Sequence, residues 1–518
     1  MSQSTQEMKM HQELSNENRN MTGFFAEKKN RLAAIIMAVL VGVLFTFMII
    51  GYELGINAFI LAVAMAASVG WVMQKDSNLH LGKFAFWTII FLSVASVFFR
   101  LSSDAYTAFA VLLIPPLFVV LTVFSSKKLP SNIIVNAIIR FFGSIAFVDK
   151  IFAAIKSLIK KDGGKKDGAL KIIIGLAVSA ALLIVIVPLM FSADSVFKKI
   201  VADIINLESI FEYLWKSLVS AIIAVLFFGF LYIITVKKNI PESEAKPFSK
   251  QYNAEDTLMV VLIVVGLVYA AFSIIQFSHL FGGIKSGVPE GFSLTEYARS
   301  GYFEQVFLTV INLAIIGLSI FLTDKSHGKK KKVINALLLY FIAINIYLMI
   351  SSAYKMGMYQ DMYGFTVLRL TVDILLIFEM LIFILLVIKI LMRRLPCLMY
   401  MLYLTAAFWA AVSFVNIEGM SADLNIKRFE QGKEIDVQYL VRMKDVSPQL
   451  KYLYSEHYDD LTKDDVTRIE EYFLNDARND YKYTGDEIVN LDKPLEFNFS
   501  QYRRAEDANE VLRIKNMK

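Results

Sequence analysis

The sequence predicts an all-α protein: a polytopic transmembrane helix bundle of about eleven spans, followed by a small helical extracytoplasmic C-terminal domain. Three observations predict it. Of 518 residues, 56% are hydrophobic and 19% are charged, whereas about a quarter are charged in soluble domains. Mean hydropathy is +0.53 although long stretches are polar, so the apolar residues must be gathered into runs. Runs such as 32–51 and 257–277 are almost free of charge over about 20 residues, the length that crosses a bilayer. An ordinary soluble enzyme, a disordered chain and a fibrous protein are excluded.

The elements follow in order. Residues 1–31 are rich in Ser, Gln, Asn and Glu and lack a signal-peptide cleavage pattern. They read as a disordered cytoplasmic tail, with the first span kept as an anchor. Residues 32–124 form a four-span segment, with spans at 32–52, 56–73, 84–100 and 107–124. Residues 125–169 form a basic cytoplasmic segment. Within it, 133–158 alternates apolar faces with Arg140, Asp149, Lys150 and Lys156, the pattern of an amphipathic helix on the lipid surface. Residues 160–167, with Gly163-Gly164, read as a basic turn. Residues 170–417 hold seven spans, at 170–191, 216–236, 257–277, 302–323, 333–352, 367–391 and 396–417. Pro115-Pro116 and Pro188 are expected to interrupt the fourth and fifth spans. Residues 418–518 are polar enough for water, and 437–443, 449–454 and 465–474 carry apolar residues at helical spacing. Ser447-Pro448 and Thr462 read as helix starts. Asn498-Phe499-Ser500 is a glycosylation tripeptide of a kind common by chance.

Lys and Arg set the orientation. The 125–169 segment holds nine of them, and the connections with Lys237 and Lys238, with Lys329 to Lys332, and with Arg393 and Arg394 are basic as well. Alternate connections are poor in Lys and Arg or balanced by acids. The positive-inside rule then places the N-terminus in the cytoplasm of a bacterium, and an odd number of spans places the C-terminus outside. Charge agrees: residues 418–518 sum to about −6, so 1–417 carry about +12 of the total +6.

Much chemistry is absent from the chain. There is no G-x-x-x-x-G-K-[ST] phosphate loop and no H-E-x-x-H. Cys397 is the one cysteine, so neither an intrachain disulfide nor a cysteine-based metal site can form. The five histidines are scattered. Gly282, Gly283 and Gly287 do not make a dinucleotide fingerprint. No catalytic residue, metal ligand or cofactor is predicted, and no nucleic-acid partner. The expected partners are the lipid bilayer and either a small solute or an envelope protein.

Charges inside spans cost about 2.5–3.5 kcal/mol each on insertion scales, so they need partners or a purpose. The tenth span holds Arg369, Asp373 and Glu379. Arg369 and Asp373 are four apart and share a face, either as part of a polar cavity or as a structural ion pair. Asn312, Asn345, Gln276 and His279 are further polar positions, and amides commonly bridge helices.

Several stretches together resemble a bacterial family catalogued as domain of unknown function 4173. They are 188–197 at the end of a span, the Leu280-Phe281-Gly282-Gly283 turn after His279, and the 296–304 motif with Tyr302 in place of a phenylalanine. Next come Ser352-Ala353, Tyr359, Tyr363-Gly364-Phe365-Thr366 and Arg369, with Lys355 where an arginine is expected. Asn416, 436–440 and 497–500 complete the set. The resemblance covers roughly 170–500. It implies a membrane architecture and nominates residues, and it carries no activity.

The motifs concentrate at the external half of the bundle. Arg299, Glu304, Tyr297, Tyr359, Tyr363, Arg369 and Asp373 are therefore a candidate polar pocket or network. The arginines would bind an anionic group with tyrosine hydroxyls orienting it, or would be neutralised by Glu304 and Asp373. Three functions stay open: a non-enzymatic membrane protein, such as a small-solute transporter; an envelope sensor or assembly factor acting through the external domain; and a membrane-embedded enzyme acting on a lipid or lipid-linked substrate.

Overall fold

Apolar runs fold as helices in a bilayer because hydrocarbon offers no partner to an open amide or carbonyl. The computed structural model describes residues 23–129, 133–159, 207–236, 254–286, 302–323, 328–392, 396–479, 482–484, 487–489 and 497–517. Its architecture is an all-α polytopic bundle, with eight helices long and apolar enough to cross a membrane among the described residues. The one departure of note is a short antiparallel hairpin, β1 (Lys482–Thr484) with β2 (Glu487–Val489). The chain divides into two compact units.

The first unit comprises residues 1–244 and 490–502. Its helices are α1 (Lys28–Ile49), α2 (Ile56–Lys75), α3 (Leu81–Ala95), the short α4 (Val97–Arg100), α5 (Asp104–Phe124), α6 (Ile133–Ala146), α7 (Asp149–Ile159) and α8 (Leu207–Val236). Helices α1 and α8 approach closely at Gly42, where a Cβ would lie 2.4 Å from the Ser220 carbonyl oxygen. Small residues permit such contacts where no hydrophobic force drives helices together. Rings fill the α3–α5 contact: Trp87 against Phe124 (centroids 5.0 Å apart) and Phe91 against Phe118 (5.6 Å).

The two ends of this unit are distinct. At one, the 76–80 and 125–127 turns pair through His80 N to Ser125 O (2.8 Å) and Lys127 N to Asn78 O (2.9 Å). At the other, residues 497–501 pack on the turns before α2 and α5. The Asn498 amide donates to the carbonyls of Phe98 (2.9 Å) and Leu101 (2.8 Å), and Ile56 N donates to Phe497 O (3.2 Å).

The second unit comprises residues 245–489 and 503–518. Its apolar helices are α9 (Ala254–Ser286), α10 (Tyr302–Leu322), α11 (Lys329–Tyr363), α12 (Val367–Leu391) and α13 (Cys397–Val412). Helix α11 is central and packs on α9, α10 and α12; α12 also packs on α13 and on α14 (Ile417–Glu430). The apolar core includes Leu262, Ile316, Leu338, Phe341 and Phe383. The more polar helices follow as α14, α15 (Val437–Leu440), α16 (Ser447–Glu456), α17 (Lys463–Asn479) and α18 (Phe499–Met517), the last belonging to this unit from residue 503. Leu440, Val446, Leu450, Leu453, Tyr454, Ile469 and Phe473 form their core with Ala508 and Val511. Their helix starts are capped by side chains: Asn416 accepts from Gly419 N (2.9 Å), Asp436 from Tyr439 N (2.9 Å) and Thr462 from Asp465 N (3.2 Å).

Eight of the eleven expected spans coincide with the eight long helices. The span at 170–191 lies outside the described residues, as do Pro188 and the 188–197 motif. The span at 302–323 is α10, whose described apolar stretch is Leu308–Ile320. The span at 396–417 is shorter than expected: α13 has 16 residues, and the chain then bends by 59° into α14. Two local expectations are corrected. Pro115 and Pro116 lie inside an unbroken α5, since proline in a membrane helix frees few backbone groups and these find other partners. The 280–283 segment, expected as a turn, is helical, because α9 runs on to Ser286.

Candidate functional site

Helix α11 has 35 residues. At 1.5 Å per residue it is about 52 Å long, well beyond the roughly 30 Å of hydrocarbon, so its ends reach polar surroundings. Its last carbonyls have no partner within the helix, and cations meet them. Arg428 donates to the carbonyls of Asp361 (2.9 Å) and Met362 (3.2 Å). Lys433 donates to the Asp361 carbonyl (3.2 Å) and pairs with its carboxylate. Arg369 donates to the carbonyls of Tyr363 (3.2 Å) and Gly364. Three positive groups at a helix C-terminus also complement its dipole.

The turn that follows is clamped by α14. Phe365 N donates to Asn425 Oδ1 (2.9 Å), while Phe365 O accepts from Asn425 Nδ2 (2.7 Å) and Ser421 Oγ (3.0 Å). Val367 N donates to the Tyr439 hydroxyl (2.9 Å). Gly364 sits at φ +79°, ψ 173°, a region open essentially to glycine alone. A Cβ there would lie 2.6 Å from Asn425 Oδ1 and 2.8 Å from Arg428 Nη1.

Of the residues nominated from sequence, the structure gathers three at this turn. The Arg369 guanidinium lies 4.1 Å above the Tyr359 ring, and the rings of Tyr359 and Tyr363 are 5.0 Å apart. Asp373 does not pair with Arg369; it accepts from Gln360 Nε2 at 2.6 Å. Arg369 is drawn instead to the carbonyl end of α11. Tyr297 and Arg299 lie outside the described residues, and for Glu304 only its place in α10 is described. Gln360, Asn425 and Arg428 were not singled out from sequence. Their roles depend on packing between segments 13 to 67 residues apart, which periodicity does not reveal.

A second polar group lies deeper, among α10, α11 and α12. Asn312 and Asn345 are fully buried, and Asn312 Nδ2 donates to Asn345 Oδ1 at 2.8 Å. Asn345 Nδ2 donates back along α11 to the Phe341 carbonyl (2.8 Å). Thr309, one turn before Asn312, contacts the Glu379 carboxyl at 3.4 Å. Lys355 is buried on α11 as well. Buried polar side chains thus recur along the central helix, at Asn345, Lys355 and Gln360. Among the described residues no group of His, Cys, Asp and Glu could hold a metal ion.

The family model described as domain of unknown function (DUF4153) matches residues 86–449, a range that includes every residue of this site. The matching family is therefore not the domain of unknown function 4173 that the motifs resemble. Motifs of one to ten residues in a hydrophobic background fix the order of elements without separating one such family from another. No curated protein and no solved structure matches the chain.

Proposed function

We propose a function from one premise: the chain belongs to the domain of unknown function (DUF4153) family, so the reading must come from its own geometry. It is an integral membrane protein, and its α10–α11–α12 group provides a path for a small polar solute. The observation that carries this reading is the recurrence of buried polar side chains on α11 inside an apolar bundle: Asn345 with Asn312, Lys355, and Gln360 with Asp373. Polar groups at membrane depth are costly and tend to mark solute or ion pathways. At the turn, Tyr359, Tyr363 and Arg369 form the mouth of the path, with Arg299, Glu304 and Tyr297 proposed to join them. The test is stopped-flow light scattering of vesicles containing the full chain, using a panel of small uncharged and zwitterionic solutes. Entry of at least one solute should exceed that into protein-free vesicles and fall back in Asn312→Leu. Rates equal to protein-free vesicles for every solute would remove the reading.

The sidedness proposed is a cytoplasmic N-terminus and an extracytoplasmic 418–518 domain in the bacterial cytoplasmic membrane. The basic 125–169 segment supports it, as does the packing of residues 497–501 at the end of the first unit away from the 76–80 and 125–127 turns. A second reading, an envelope sensor or assembly factor, is favoured by the clamp of α14 on the α11–α12 turn, through which a ligand of the soluble domain would act on the helices. Ligand-dependent protection of the 361–367 amides from exchange would support it.

A further inference from the structure

Glu379 is the thirteenth of the 25 residues of α12, about 18 Å from either helix end and so at the middle of a span. Its carboxyl meets the Thr309 hydroxyl at 3.4 Å. Among the described residues it forms no ion pair. The charged and titratable groups on the elements packed against α12 are these. On α10, which supplies Thr309, they are Tyr302 and Glu304, and on α11 Lys329 to Lys332, Tyr340, Tyr347, Tyr354, Lys355, Tyr359, Asp361 and Tyr363. On α13 they are Cys397, Tyr400 and Tyr403, and on α14 Glu418, Asp423, Lys427, Arg428 and Glu430. Helix α12 itself adds Arg369, Asp373 and Lys389. Arg369 is held at the α11 carbonyls and Arg428 beside it, so neither reaches Glu379.

An ionised carboxylate with a single hydroxyl partner at mid-membrane is costly, whereas a neutral carboxyl needs only an acceptor for its O–H. The Thr309 hydroxyl oxygen is that acceptor, and one turn on along α10 lies a second unmet polar group. Asn312 is fully buried, and its Oδ1 accepts no hydrogen bond in the structure, its Nδ2 being committed to Asn345. Asn312 is three residues from Thr309, hence on the same face of α10. A buried acceptor without a donor is costly. Adding one proton to Glu379 removes the charge, and its O–H then donates to Thr309 Oγ1.

We infer that Glu379, with Thr309 and Asn312, is a reversible proton-binding site whose loading accompanies solute movement through the α10–α12 path. The step balances simply: hydronium from the aqueous side gives its proton to a Glu379 oxygen, an O–H bond forms, and water leaves. Release reverses it. The coupling rests on the solute-path reading; the proton site does not.

The test is pH-difference infrared spectroscopy of the full chain in lipid vesicles, following the carboxylic-acid C=O stretch. The wild type should show a band that decreases as pH rises. It should be absent in Glu379→Gln and retained in Asp373→Asn. Thr309→Val keeps the volume, removes the hydroxyl and should move the band to higher frequency; it serves as the second variant if Glu379→Gln fails to fold. A band unchanged at every pH would mean a permanently neutral structural carboxyl and would overturn the inference, as would a band untouched by both the Glu379 and Thr309 variants. A titrating Glu379 band without solute entry leaves the site standing and removes the path. Solute entry without the band removes the proton site alone.

Discussion

Asn498 sits in an Asn-x-Ser tripeptide, yet its amide is turned inward onto the carbonyls of Phe98 and Leu101. The residue is buried. Asn498→Ala should lower stability by about 2 kcal/mol, the order expected when buried carbonyls lose their donor, read as a lower melting temperature of the detergent-solubilised protein. Gly364 offers a second case. Its ψ of 173° at positive φ is strained for any other residue by about 1–3 kcal/mol, and a Cβ would press on Asn425. Gly364→Ala should therefore destabilise by at least that amount. Gly364→Ala combined with Asn425→Ala should cost less than the two single losses added, because the second change removes the atom that the first strikes.

At the scale of elements, the polar C-terminal helices carry a pH dependence of definite sign. Tyr454 of α16 is fully buried, and its hydroxyl donates to Glu470 of α17 (2.9 Å). Burial first, and the Glu470 carboxylate second, push its ionisation well above the ordinary tyrosine range. Lys451, bonded to Asp507 and Glu510 of α18, is likewise raised. Both groups hold their protons more tightly folded than unfolded. Their stabilisation is complete below about pH 10, where the unfolded chain is also protonated, and is lost as pH rises through the folded values. Unfolding followed by tyrosine absorbance should become easier above that pH, and Tyr454→Phe should flatten the alkaline decline while costing about 1 kcal/mol at neutral pH. These helices were legible in the sequence because local signals wrote them: the 463–479 helix begins after a Thr462 cap, and Ser447-Pro448 opens α16. The membrane helices were legible from length alone. The Arg369–Asp373 face was legible as geometry but not as pairing, since spacing of four says which side chains share a face and nothing of what the next helix offers. The carbonyl end of α11 attracts Arg369, and Gln360 takes Asp373. The hairpin β1–β2 carries three residues per strand, too few to register as a periodic signal.

At the scale of the whole molecule the question is which side each polar end faces. Helix α13, at 16 residues, is about 24 Å long, short of the roughly 30 Å of hydrocarbon, and joining it to α14 as one broken span would seem to remedy this. The composition of α14 argues otherwise: it carries Glu418, Asp423, Lys427, Arg428 and Glu430, and its inner face is in the core of the C-terminal helices through Ala422 and Ile426. More decisive is the clamp. Asn425 and Arg428 of α14 hold residues 361–365, so the start of the C-terminal region and the α11–α12 turn share one side. Between them lie only α12 and α13, which must make an even number of crossings. With α12 a full span of 25 residues, α13 must cross as well, its short length being met by local thinning of the bilayer or by polar flanks at fractions of a kcal/mol per ångström. The expected outcome follows in a cysteine-free background made by replacing the one native cysteine, Cys397. Single cysteines at half-buried Lys433 in the C-terminal region and at exposed Tyr363 in the turn should react alike with a membrane-impermeant maleimide added to intact cells. A cysteine at Lys128, in the basic segment, should react only after the membrane is opened. Opposite labelling at 363 and 433 would break the clamp and the even count together, whereas labelling at 128 in intact cells would invert the proposed orientation and leave the count of crossings between the turn and the C-terminal region intact.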